Sequence, residues 1–107
     1  MSARDELHRI KERMEAYLDP IRDMHYVYEF RMDDSGPLQV RFEGGRVDIL
    51  EEAAYPSDCT LILSDGHLVK LLRGDLNTTM AFMLGQLKVE GKMGLALKLQ
   101  ERLKSYV

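Results

Sequence analysis

"DCTLILSDGHLVKLLRGDLNTTMAFMLGQLKVEGKMGLALKLQ", residues 58–100, is the stretch on which the fold turns. It begins with a short run, Asp58–Ser64, that is almost wholly apolar. Such a run predicts a central strand covered on both faces. Ser64 or Asp65 then caps a helix over Gly66–Arg73, with Leu68, Leu71 and Leu72 as its apolar side. Gly74 can end it in the left-handed conformation. Asn77 caps a second, shorter helix, Thr78–Leu84, which Gly85 stops. "QLKVEG" reads as a short strand with Leu87 and Val89 inward, and Lys92 to about Lys104 as a final helix.

Upstream, Ser2–Leu18 reads as an amphipathic helix whose stripe is Leu7, Ile10, Met14, Tyr17 and Leu18. Pro20 disfavours helix at Asp19 and ends it. The stripe is narrow, as expected of a surface helix resting on a domain. From His25 the period changes to two. Tyr26, Tyr28, Phe30 and Met32 alternate with Val27, Glu29, Arg31 and Asp33. "DDSGP" makes a turn; then Leu38, Val40 and Phe42 alternate with Gln39, Arg41 and Glu43. Gly44-Gly45 signals a tight hairpin, and Arg46–Ala54 reads as a third strand with Val47 and Ile49 inward. These three form an antiparallel meander. The order α, four β, two α, β, α predicts one sheet packed against helices, an α+β sandwich.

The methionine-rich part poses a question. At about 100° per residue, Met80, Met83 and Leu84 share one face of their helix and Phe82 points nearly opposite. A helix apolar on two sides needs cover on both. The last helix spreads Met93, Leu95, Ala96, Leu97, Leu99 and Leu103 over roughly 200° of arc, where a sheet-facing helix needs ~100°. Gln100 falls inside that arc. Buried, its amide needs a partner, either water or a neighbouring group near the helix end or the polar part of a ligand in an apolar pocket. Methionine likewise fills ordinary cores or lines surfaces that accept many shapes.

Composition narrows the function. The chain has 107 residues, enough for one domain, residues 1–107, and a single core. Its net charge is −3 with no basic stripe, which argues against nucleic acid, since phosphate neutralisation needs clustered Lys and Arg. Cys59 is the single cysteine, so no intrachain disulfide can form. No apolar run reaches the length of a membrane span and no signal-peptide core is present. His8, His25 and His67 lie far apart without partners at ligand spacing, so no metal is expected. Asp33-Asp34 belongs to a turn, and Glu51-Glu52 points to opposite faces of a strand. "EGGR" is a hairpin rather than a phosphate cradle. No catalytic constellation is present, and a non-enzymatic protein without cofactor is expected.

The stretch Asp58–Gln100 also resembles the sterol carrier protein type 2 family. The likeness lies in "DCTLILSD" entering a helix, the "GDLN" cap, "AF", and the pattern G-x-L-K-x-x-G-x-M-G-L-A-L-K-L. Upstream of Asp58 only the order of elements and the "EGG" hairpin match. The resemblance implies a five-stranded, mostly antiparallel sheet covered by about four to five helices around an apolar tunnel. It implies lipid binding and transfer, with fatty acid, acyl-CoA, phospholipid, sterol or isoprenoid-type ligands. By position, the tunnel lining would be Met80, Phe82, Met83, Leu84, Leu87, Val89, Met93, Leu97 and Gln100. Transient membrane contact is implied, and a homodimer or a lipid-handling partner enzyme is possible within the family. The alternative is an accessory module docking such an enzyme or an isoprenoid-quinone biosynthesis complex. The end "ERLKSYV" differs from the tripeptide of peroxisomal members, so a stand-alone, prokaryotic-type cytoplasmic member is expected.

Overall fold

The computed structural model describes residues 2–33 and 35–107; Asp34, in the turn expected of "DDSGP", lies outside them. The elements are α1 (Ala3–Ala16), a 3-10 turn (Asp19–Ile21), β1 (Val27–Arg31), β2 (Leu38–Glu43), β3 (Arg46–Leu50), β4 (Cys59–Leu63), α2 (Asp65–Leu72), α3 (Thr78–Met83), β5 (Leu87–Gly91), α4 (Met93–Leu103) and a closing 3-10 turn (Lys104–Tyr106). The sheet order is β3-β2-β1-β4-β5. All neighbours are antiparallel except β1 and β4, which run parallel with Tyr28 opposite Cys59 and Phe30 opposite Leu61. It is the α/β sandwich the sequence predicts, a mixed five-stranded sheet with four α-helices.

Alternation gives the sheet its inner face. Tyr28, Phe30, Leu38, Val40, Phe42, Val47, Cys59, Leu61, Leu63 and Leu87 are all buried, and they join Leu7, Ile10, Met14, Leu68, Leu71, Leu72, Ala96, Leu99 and Leu103 from the helices in one core. The helix starts are those the sequence predicts. Ser2 and Asp5 form a capping box, Ser64 Oγ accepts from His67 N–H, and Asn77 Oδ1 accepts from Met80 N–H. Gly74 and Gly85 follow their helices with positive φ. Gly91 has φ +94°, and a Cβ there would stand 2.7 Å from the Asp58 carbonyl oxygen, so only glycine lets β5 close on the start of β4.

Three expectations are corrected. The third strand stops at Leu50 instead of Ala54, because Leu50 faces Gln39 and β2 offers no pairing partner beyond Leu38. Glu51-Glu52 therefore lies in a bend and not on a strand. The first helix ends at Ala16, and Tyr17 from the expected stripe is exposed, packed edge-on against Tyr106. β4 lies between β1 and β5 and is covered by helices on one face only. On its other face Thr60 is buried and donates to Ser57 Oγ, while Ile62 is half-exposed.

That outer face is crossed by the segment from β3 to β4, which passes from one side of the sheet to the other. Gln39 donates to the Tyr55 carbonyl (2.8 Å) and accepts from Tyr55 N–H (3.1 Å), and its amide also donates to Glu29 (2.9 Å). The crossing explains why Glu29 and Gln39, outward by alternation, are buried. Each has its hydrogen bonds, so burial does not leave a naked polar group.

Candidate functional site

α3 is held by little. Its six residues turn only Thr78 and Ala81 inward, and both are buried. At its start the Thr78 N–H donates to Gln100 Oε1 (2.6 Å) from α4. The Thr78 hydroxyl is buried without a hydrogen-bond partner among the described residues. The opposite surface is apolar and wet: Met83 is 78% exposed, Leu84 64%, Met80 55% and Phe82 48%. The two apolar sides foreseen from the sequence exist, but no protein layer covers either. Among the described residues β5 is the last strand of the sheet, and α3 packs at this edge on β5 and α4.

The remaining predicted residues fall around this helix. Leu87 is buried in the core, Val89 and Met93 are half-buried, Leu97 is exposed, and Gln100 is half-buried in its bond to Thr78. The nine thus lie on α3 and its C-cap, on β5 and on α4, three elements that touch one another. Met80, Phe82, Met83 and Leu84 form a surface there instead of lining an enclosed tunnel.

The interior cavity lies elsewhere. It has a volume of about 10 Å³, room for one water-sized sphere, and its exposed walls are wholly apolar. Leu7, Ile10, Lys11 and Met14 of α1 line it with Phe42, Val47 and Ile49 of the sheet, and it reaches Leu72, Leu99 and Leu103. None of these was singled out as a site residue from the sequence. The α1 stripe and the β2–β3 alternation were legible, but their meeting is a long-range fact. Two larger clefts, about 320 and 230 Å³, are open and partly polar; the second is lined by Gly74, Asp75, Leu76, Asn77, Gln100 and Lys104 at the start of α3.

The buried titratable groups serve structure. Burial pushes the Cys59 thiol up to about 11, which leaves it a small hydrophobe at neutral pH. Tyr28, raised chiefly by burial, donates its hydroxyl to the Leu95 carbonyl (2.8 Å) and ties β1 to α4. Glu6 is fully buried on α1; its side-chain bond to Arg9, together with Arg73, holds its carboxyl below the usual range. Among the described residues, no helix is long and apolar enough to cross a membrane.

A family model described as the SCP-2 sterol transfer family matches residues 7–104. Sterol carrier protein 2 of Rattus norvegicus is 39% identical over 61 residues, which is 57% of this chain and 11% of that protein. The chain thus spans only about a tenth of the length of such relatives. Among solved structures, the sterol carrier protein domain 2 of Helicoverpa armigera superposes with a TM-score of 0.76 at 26% identity, covering 94% of this chain and 84% of that one. Sterol carrier protein-2 of Aedes aegypti, solved in complex with the C16 fatty acid palmitate, gives a TM-score of 0.75 at 17% identity, covering 98% and 96%. At that identity the second likeness bears on the fold alone.

Proposed function

The chain belongs to the SCP-2 sterol transfer family, and from that premise we propose that it binds a lipid reversibly and carries it between membranes without covalent chemistry. The ligand classes that fit are fatty acid, acyl-CoA, phospholipid, sterol or isoprenoid. The contact surface is Met80, Phe82, Met83, Leu84, Leu87, Val89, Met93, Leu97 and Gln100.

The observation that carries this reading is α3, with four large apolar side chains standing in water beside a closed apolar core. Scattered exposed apolar residues are ordinary, but four on one short helix and its cap, Met80, Met83 and Leu84 on one face and Phe82 on another, mark a binding surface. A cavity of about 10 Å³ admits no acyl chain, so loading requires the cover to move. α3 is the cover most lightly fastened: two small inward residues, one hydrogen bond to Gln100, and a glycine with positive φ on either side. Lifting or rolling it would open the core between β5 and α4 and turn the methionines onto the incoming tail. Their flexible thioethers suit ligands of varied shape.

The energetics suit a carrier. Each buried CH₂ contributes ~0.8 kcal/mol, so a 16-carbon chain gains roughly 10–13 kcal/mol on leaving water. A bilayer offers nearly the same. Release therefore demands a site that matches the membrane, and a loose lining achieves this better than a rigid one.

The chain has no tryptophan, so Met83→Trp supplies a single reporter on α3. Titration of a fluorescent C16 fatty acid should saturate, and the Met83→Trp emission should shift to the blue as lipid is added. Absence of both saturation and shift would sink the proposal. The same exposed face favours a second reading, in which α3 docks a second copy or a lipid-handling enzyme. Native mass spectrometry of gently purified protein separates them, by co-purifying lipid in the first case and a protein complex free of lipid in the second.

A further inference from the structure

The interior cavity has one charged residue in its lining, Lys11. Lys11 lies half-buried on α1 and is one of the residues that wall the cavity; a lysine so placed lays its aliphatic stem along the apolar wall and carries its ammonium out toward solvent. The other cations of α1 all have partners. Arg4 pairs with Glu51 just past β3, Arg9 with the buried Glu6, and Arg13 donates to the Tyr106 carbonyl (2.7 Å). The cations on the strands beside the rim are engaged as well, Arg41 and Arg46 both with Asp48. Among the described residues Lys11 has neither an ion pair nor a hydrogen bond, and Glu15, one turn further on, does not pair with it. An amphipathic helix thus places one unpartnered basic residue in the lining of an otherwise apolar cavity.

We propose that Lys11 is the head-group site for a single-tailed anionic amphiphile, a carboxylate or phosphate on a long hydrocarbon chain. The head pairs with the ammonium at the rim between α1 and β3. The tail runs inward past Ile10, Phe42 and Leu99, widening the small cavity, toward the methionine face of α3. This deepens the carrier reading and rests on it. It gives the ligand a polarity: charge at the α1–β3 rim, hydrocarbon end at α3. A half-buried lysine beside apolar walls is a stronger anion site than one in open water, because the local dielectric screens it less.

The test is competitive displacement of a fluorescent fatty acid by three C16 ligands, namely the carboxylate, the alkyl phosphate and the alcohol. Each is run on the wild-type chain, Lys11→Met and Lys11→Arg. Methionine keeps the stem and suits a helix nearly as well as lysine, so folding is undisturbed. Lys11→Met should weaken at least one of the two anions about tenfold, leaving the alcohol unchanged, and Lys11→Arg should restore that anion. Loss of the carboxylate alone identifies a fatty-acid head, and loss of the phosphate alone a phospholipid-type head. Equal weakening of anions and alcohol, or no change for any of the three, overturns the assignment while leaving lipid binding standing. Failure of all three ligands to bind the wild-type chain would overturn the carrier reading itself.

Discussion

Glu6 shows how a single residue fastens α1. It is fully buried, and it pairs with Arg9 on its own helix and with Arg73 after α2. Both arginines remain partly exposed, 34% and 45% at the side chain, so solvent screens the pairs. Glu6→Gln should therefore lower stability by about 1–2 kcal/mol, read as a shift of the urea midpoint. Because the folded carboxyl titrates below its ordinary 4.5, its contribution is complete above that value and is lost as pH falls through the folded pKa. The stability difference between wild type and Glu6→Gln should shrink on acidification below pH 4.5; a difference independent of pH there would refute the ion-pair account.

At the scale of the element, α3 and α1 are opposites. α1 buries Ala3, Leu7, Ile10 and Met14 and is tied at both ends, by Asp65 accepting from Ala3 N–H and by Arg13 on Tyr106. α3 buries only Thr78 and Ala81, and its N-terminal amide depends on Gln100. Elements with few buried apolar groups open at low free energy. Gln100→Ala should speed amide exchange at Thr78 about tenfold, the loss of roughly one hydrogen bond of ~1.4 kcal/mol, while leaving exchange in β1 and β4 unchanged. Bound lipid should slow exchange across α3. If Gln100→Ala leaves Thr78 as protected as before, another contact holds that helix.

Over the whole molecule, the first and last segments clasp one another. Tyr106 is buried, donates its hydroxyl to the Tyr17 carbonyl (2.7 Å) and lies edge-on to the Tyr17 ring. Arg102 donates to the Pro20 carbonyl (2.6 Å) and grips Asp23 with both arms of its guanidinium, which draws that carboxyl down to about 2. The apolar cavity is walled by residues of the same two helices that the clasp joins, Leu7, Ile10 and Met14 of α1 and Leu99 and Leu103 of α4. Tyr106→Phe should cost about 1 kcal/mol, and Tyr106→Ala about 3 kcal/mol as α1 loses its support. Thermal unfolding of the two variants checks the ordering. Equal effects would mean that the hydroxyl, and not the ring, fastens the segments.

The sequence by itself determined the α-helices and the strands, and most of their boundaries to within a residue or two; the two 3-10 turns and the early end of β3 it did not foresee. Caps, glycine stops and the change of period from 3.6 to 2 are local signals, and they survive folding because they act within a few residues. It also marked Met80, Phe82, Met83 and Leu84 as too apolar for an ordinary short helix. Tertiary structure alone decided that these side chains face water, because whether a helix has a layer beyond it depends on where the sheet ends. It alone buried Glu29 and Gln39, since alternation cannot foresee a segment crossing the outer face from β3 to β4. It alone joined Lys11 and the α1 stripe to Val47 and Ile49 around one small cavity. Local rules describe a residue's own turn or strand; which surfaces meet is fixed by chain path, and that information is spread over the whole sequence.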